Sequence, residues 1–139
     1  MSTISIEENK AVVLRFNKEI IEQGNYEVFA ELMDEAFVNR TALPNISSGP
    51  DGMIVVFKHL QKGFPDLKVE IYDQIAEGDK VTTRKALIGT HTGDFMGIAA
   101  TNRKVTINVI DIVCVRNGRY FEHWGMNNLQ AVMSQLKEA

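Results

Sequence analysis

The stretch at residues 103–126, RKVTINVIDIVCVRNGRYFEHWGM, constrains the fold more than any other part of the chain. Two apolar runs flank Asn117-Gly118, and Asn-Gly between alternating runs is the strongest short-range signal of a β-hairpin. Successive side chains of a strand point to opposite faces, so Val105, Ile107, Val109, Asp111, Val113 and Val115 share one side. Asp111 is a carboxylate in an otherwise apolar stripe. An ionised carboxylate buried without partners is costly, so such a group is paired, protonated or kept for chemistry.

The elements before this hairpin are helical. Ser5 and Glu8 have the spacing of a capping box, which predicts a helix starting at Ser5. Val12, Val13, Phe16 and Ile20 recur along it, and Gly24 is its stop. Asn25 caps a second helix whose buried side carries Val28, Phe29, Leu32 and Met33, and a short strand follows at residues 36–43. The turn-rich PNISSGPDG reads as a surface loop, with Pro50 in the first turn of a third helix that ends at Gly63.

From Leu67 the apolar period changes from helical to two. Glu77-Gly78-Asp79 reads as a hairpin turn into a strand at residues 80–92. The glycine-rich GTHTGDFMGIAATNR reads as a loop arching over one end of the sheet. Leu129, Val132, Met133 and Leu136 mark a C-terminal helix capped by Asn127 or Asn128. Helices segregated from a mostly antiparallel sheet define the α+β class, and a curled sheet with helices over its concave face encloses a pocket. No repeat or linker divides residues 1–139, which suit a single domain.

The slightly acidic balance, a net charge of −3 with scattered Lys and Arg, points away from a nucleic-acid surface. No apolar run approaches the roughly 18 residues needed to span a bilayer, so a cytoplasmic protein without membrane contact is expected. The single cysteine, Cys114, sits in an apolar run and reads as a small buried hydrophobe.

Candidates for chemistry are few. On the last strand Glu122 and Trp124 share one face, while Phe121, His123 and Gly125 share the other. A His and an Asp in one apolar pocket make a general acid/base pair, and pairing across the hairpin brings His123 or Glu122 toward Asp111. The alternatives for Asp111 are a structural hydrogen bond and an edge or oligomer contact. His91 lies where a strand breaks into a loop, a favoured place for functional residues, with a hydrogen bond to its own loop as the alternative. His59 reads as solvated.

Arg84 could meet an anionic group, a salt-bridge partner or a dimer contact. Tyr72, Tyr120 and Trp124 are most simply core or interface residues. The histidine spacing offers no metal motif, and no GxSxG or nucleotide-binding glycine pattern occurs. Neither a metal nor a cofactor is therefore expected.

Several strings occur in order: NKAVVLRF at residues 9–16, FPDL at 64–67, EGDKV at 77–81, GTHTGDFMGI at 89–98, IDIVCVRNGRYFEHW at 110–124 and QL at 135–136. Together they resemble the SnoaL-like polyketide cyclase or ester cyclase family of the nuclear-transport-factor-2-like superfamily. The resemblance covers nearly the whole chain and implies a cone-shaped α+β fold with a deep pocket, forming a homodimer through the outer sheet face.

The resemblance also implies an intramolecular aldol closure that uses an acid/base carboxylate in the cone and no cofactor. That carboxylate falls beside Trp124, at Gly125 here, and the family's pocket histidine falls at Asp111. A polar pocket residue matches Asn39. Relatives commonly carry Asp at the position of Asn128 and His at that of Arg40.

The resulting expectation is a cyclase or isomerase acting on a small, mostly apolar carbonyl compound. Asp111 would be a base with its pKa raised by the apolar pocket, and His123 or His91 the proton donor or orienter. Asn39 would be the oxyanion donor, and Arg84, Trp124 and Gly125 would lie along the substrate. The rival expectation is a non-catalytic small-molecule binder, favoured by Gly125 and Asn128 at carboxylate positions. A third is an interaction module using the sheet face.

Overall fold

In the computed structural model, which describes residues 5–138, the chain opens with the capping box expected at Ser5. Ser5 Oγ accepts from the Glu8 backbone N–H at 3.0 Å, and the Glu8 carboxylate reaches back to the Ser5 N–H. These bonds satisfy two amides that helix α1 (Ile6–Arg15) would otherwise leave open. The helix then widens into a π-helical stretch, Phe16–Glu22, before Gly24 closes it at φ +68°. Its last carbonyls are satisfied from outside: the Gln61 side-chain amide donates to Ile20 O and Ile21 O at 2.9 and 3.0 Å.

Helix α2 (Tyr26–Leu32) leads directly into β1 (Met33–Asn39), which starts three residues earlier than the alternation suggested. It can do so because Met33 already pairs with Tyr120 in a parallel ladder. Helix α3 (Pro50–Gly63) carries Pro50 in its first turn and ends at Gly63, as read from the sequence. Strands β2 (Lys68–Glu77), β3 (Lys80–Thr90), β4 (Lys104–Arg116) and β5 (Arg119–Asn127) follow, and α4 (Leu129–Lys137) closes the described chain.

The five strands form one sheet in the order β1-β5-β4-β3-β2, antiparallel except for β1 beside β5. Between β4 and β5, Asn117 and Gly118 both take positive φ, +52° and +75°. That geometry is why Asn-Gly is preferred there. A bulge opposite Cys114 and Val115 leaves Phe121 unpaired, so Tyr120 and His123 both face inward across an odd interval.

The inward face of β4 is the stripe of Val105 to Val115, and β3 contributes Val81, Thr83, Lys85 and Leu87. Over it lies an aromatic core. Phe16 stacks on Tyr120 with ring centroids 3.9 Å apart and meets Phe57 edge-on at 5.8 Å.

The loop after β3 is tied to the fold along its length. His91 N–H donates to Arg103 O at 2.8 Å, and Phe95 and Ile98 are buried. At Gly93 an added Cβ would stand 2.0 Å from Lys62 O, so only glycine lets this loop lie against the end of α3. Among the described residues no helix is long and apolar enough to cross a membrane.

Candidate functional site

Register decides which polar groups meet. Asp111 on β4 lies opposite Gly125 on β5 and Thr83 on β3, which places Lys85 and His123 on either side of its carboxylate. Asp111 Oδ2 is 3.4 Å from Lys85 Nζ and 3.4 Å from His123 Nε2. Lys85 and Asp111 side chains are only 5% and 7% exposed. The second oxygen, Asp111 Oδ1, is buried and without a hydrogen-bond partner among the described residues.

Each partner is held from behind. Lys85 Nζ donates to Asn17 Oδ1 at 2.5 Å, and Asn17 in turn donates from Nδ2 to Val13 O at 2.9 Å. His123 Nδ1 is 2.9 Å from Asn39 Oδ1, the oxygen that also accepts from the Thr41 N–H at 3.2 Å. The backbone donor identifies that atom as the amide oxygen, so His123 Nδ1 carries a proton. Nε2 is the nitrogen that faces Asp111. Asn39 Nδ2 meets only the Met53 thioether, at 3.6 Å, a weak acceptor that a ligand oxygen can displace.

Lys85, Asp111, His123, Asn39 and Met53 line a cavity of about 140 Å³ between the sheet and the helices. Leu43, Ile46, Val56, Leu60, Ile107 and Val109 supply much of its apolar wall. A dry cavity of about 150 Å³ holds a molecule such as benzene, so this one suits a compact ligand. Among the described residues no group of three His, Cys, Asp or Glu side chains could hold a metal ion.

Burial is the largest influence on Asp111 and pushes its pKa up. The Lys85 charge, together with the hydrogen bond and charge of His123, outweighs it and holds the carboxyl below the usual range. This reverses the raised value expected from the apolar stripe, because β3 brings an ammonium that the stripe alone does not reveal. Tyr120, stacked beneath the cavity, is pushed well above the usual phenol value by burial and then by the Asp111 charge.

A pH dependence follows. A carboxyl with a depressed folded pKa adds stability that is complete above its unfolded pKa and is lost as pH falls through the folded value. Wild type should therefore exceed Asp111→Leu by a margin that is constant near neutrality and narrows from about pH 5 downward. Urea midpoints measured between neutral and acidic pH check this; a margin unchanged by acid would rule out the ion pair as its source.

The structure brings together Asp111, His123, Asn39 and Gly125, and separates the other candidates from them. His91 is fully buried at the end of β3, away from the cavity lining. Its Nδ1 accepts from the Thr101 N–H at 3.2 Å and its ring packs against Phe64, so its contacts hold the loop. Arg84 and Trp124 belong to the outer face, because strand alternation turns them away from Lys85 and His123. Arg84 pairs with Asp73 at 2.6 Å, and Trp124 borders an outer groove with Tyr72, Ile110, Ile112 and Met126.

Glu122, also outward, pairs with Arg40 at 2.9 Å. Asn128 accepts from the Asn108 N–H at 2.8 Å and ties α4 to β4. At Gly125 an added Cβ would stand 2.8 Å from His123 Cε1. The imidazole thus occupies the space into which a side chain at position 125 would project.

Sequence reading missed Lys85 and Asn17. Adjacent basic residues in a strand, Arg84 and Lys85, must put one inward, and that parity was the available signal. Asn17 lies four residues after Val13 and three before Ile20, so a polar residue within the helical apolar stripe was its signal.

The family model for SnoaL-like polyketide cyclases matches residues 11–136. Among solved structures, wild-type IdmH, a candidate polyketide cyclase from Streptomyces antibioticus, is 28% identical with a TM-score of 0.80, over 94% of this chain and 99% of that one. A candidate polyketide cyclase from Bacillus cereus ATCC 10987 is 26% identical with a TM-score of 0.83, over 98% and 85%. A candidate SnoaL-like polyketide cyclase from Jannaschia Sp. CCS1 is 25% identical with a TM-score of 0.82, over 100% and 99%. No curated protein matches the chain.

Proposed function

Since this chain belongs to the SnoaL-like polyketide cyclase family, we propose that it binds a compact, mostly apolar carbonyl compound and transfers a proton on it, as a cyclase or isomerase does. The observation that carries this reading is the unpartnered Asp111 Oδ1, buried in the group that lines the cavity beside His123 and Asn39. A buried acceptor with no partner is costly unless a ligand supplies one.

In this reading Asp111 Oδ1 takes the proton from the carbon next to the carbonyl. The freed electron pair forms the enolate, whose oxygen accepts from Asn39 Nδ2, and His123 Nε2 returns a proton. General acid–base assistance of this kind contributes roughly 10²–10⁴-fold.

Proton abstraction can be followed without knowing the natural substrate. Cyclohexanone and phenylacetone are incubated with the protein in heavy water, and loss of their α-proton signals is followed by NMR. Wild type should accelerate exchange, and Asp111→Asn should lose at least about 100-fold. Ketones that bind without exchanging would refute turnover.

The second reading is a non-catalytic binder of the same class of compound. One observation favours it: Lys85 and His123 make Asp111 a weaker base. The family resemblance adds that Gly125 falls where relatives carry a carboxylate. Binding without exchange is the outcome that selects it.

The outer face supports a second copy of this chain as partner. Ile110 is 53% exposed and Met126 80%, beside Tyr72 and Ile112, an apolar area that a soluble monomer rarely leaves open. Sedimentation should show a dimer, and Ile110→Lys should shift it to monomer. A wild type that sediments as a monomer at high concentration would remove the proposal.

A further inference from the structure

We infer that Lys85 is the anion-holding group of the cavity, and that its ligands present to Nζ an oxygen that becomes negative on deprotonation, as in an enolisable ketone or a phenol. This deepens the proton-transfer reading and rests on it.

An ammonium has three donors, and burying one is costly unless they are met. Asn17 Oδ1 takes one at 2.5 Å, and Asp111 Oδ2 stands 3.4 Å away along a second direction. Lys85 lines the cavity, where a ligand oxygen would meet the third. Asn17 is itself fully buried and fixed by its bond to Val13 O, so it serves as a positioning residue that aims the ammonium.

Charge balance gives the ligand class. The titratable side chains lining the cavity are Lys85, Asp111, His123 and Tyr120. With Asp111 ionised, Lys85 has its counter-charge. When Asp111 Oδ1 accepts a proton from the ligand, that counter-charge disappears and a buried cation is left uncompensated. The balance is restored if the same event makes the ligand oxygen negative within reach of Nζ.

Written out, the ligand's C–H or O–H bond breaks and its proton goes to Asp111. The bonding pair stays on the ligand, as an enolate after conjugation with the carbonyl or directly as a phenolate. The negative charge passes from Asp111 to the ligand while the total within the cavity is unchanged. No oxidant, reductant or co-reactant is required.

The test uses para-nitrophenol, whose phenolate is yellow and whose neutral form is not. Bound to wild type, the probe should ionise at a lower pH than it does free in solution. Lys85→Gln should weaken phenolate binding by at least about tenfold, the worth of a charge-assisted hydrogen bond, while leaving nitrobenzene binding unchanged. Lys85→Arg should retain much of the effect.

If Lys85→Gln does not fold, Asp111→Asn is compared with Asp111→Asn/Lys85→Gln, a pair that differs only in the ammonium. The inference is overturned if wild type fails to bind the probe, holds it neutral, or is matched by the variant lacking the ammonium. Ketone exchange separates the two proposals. A wild type that ionises the phenol but exchanges no ketone protons keeps the Lys85 assignment and ends the turnover reading. Equal exchange by wild type and Lys85→Gln, with unchanged phenol ionisation, does the reverse.

Discussion

Replacing Lys85 with alanine should lower the unfolding free energy by about 3–5 kcal/mol, the usual cost of breaking a buried ion pair from one side. Lys85 and Asp111 are almost completely withdrawn from water, and Asn17 Oδ1 also loses its donor. Asp111 would keep only His123 to offset the desolvation that pushes it toward the neutral form. The companion variant Lys85→Met/Asp111→Leu removes both charges and fills similar volume. It should recover most of the loss, because apolar replacement of a buried pair is often neutral or stabilising. Urea unfolding of the three proteins measures this; a Lys85→Ala cost below about 1 kcal/mol would mean that water already screens the pair.

Phe16→Ala should cost about 3–5 kcal/mol. Phe16 is 1% exposed and lies among Phe29, Phe57 and Tyr120, so truncation leaves a void bounded by three rings that cannot all close on it. Small domains have only about 5–15 kcal/mol in total, so the loss is a large share. Phe16 also lines the cavity, and its removal enlarges the ligand space. Apolar ligands larger than those wild type accepts should therefore raise the variant's melting temperature more than they raise that of wild type. A cost under about 1 kcal/mol would show that the neighbouring rings collapse inward.

What could be read from the sequence was local. Asn117-Gly118, the alternation of Val105 to Val115, and the Ser5 and Glu8 box each report on a few neighbouring residues, and each forms as the local pattern requires. Asp111 was visible because it broke a pattern. Lys85 was not, since its meeting with Asp111 depends on the register between β3 and β4.

Arg84 and Trp124 stand outside the pocket by their own parity. Alternation that sends His123 inward sends Trp124 outward, and the structure keeps that rule. His91 sits in a string that identifies the family without indicating where β3 ends relative to the cavity. Asn17 lies at helical spacing within the apolar stripe of the first helix, but its pairing with Lys85 spans 68 residues and depends on long-range packing.

Gly125 carries no positive φ, so its backbone does not require glycine; the His123 ring does, because it fills the volume a Cβ would need. Positions 123 and 125 therefore behave as mutually exclusive tenants of one site. Substitutions at the two will not combine additively: a side chain at 125 is damaging while the imidazole is present and harmless once it is gone. Moving a side chain into this space from position 125 instead of 123 takes two changes made together, and either intermediate has a crowded site or an empty one.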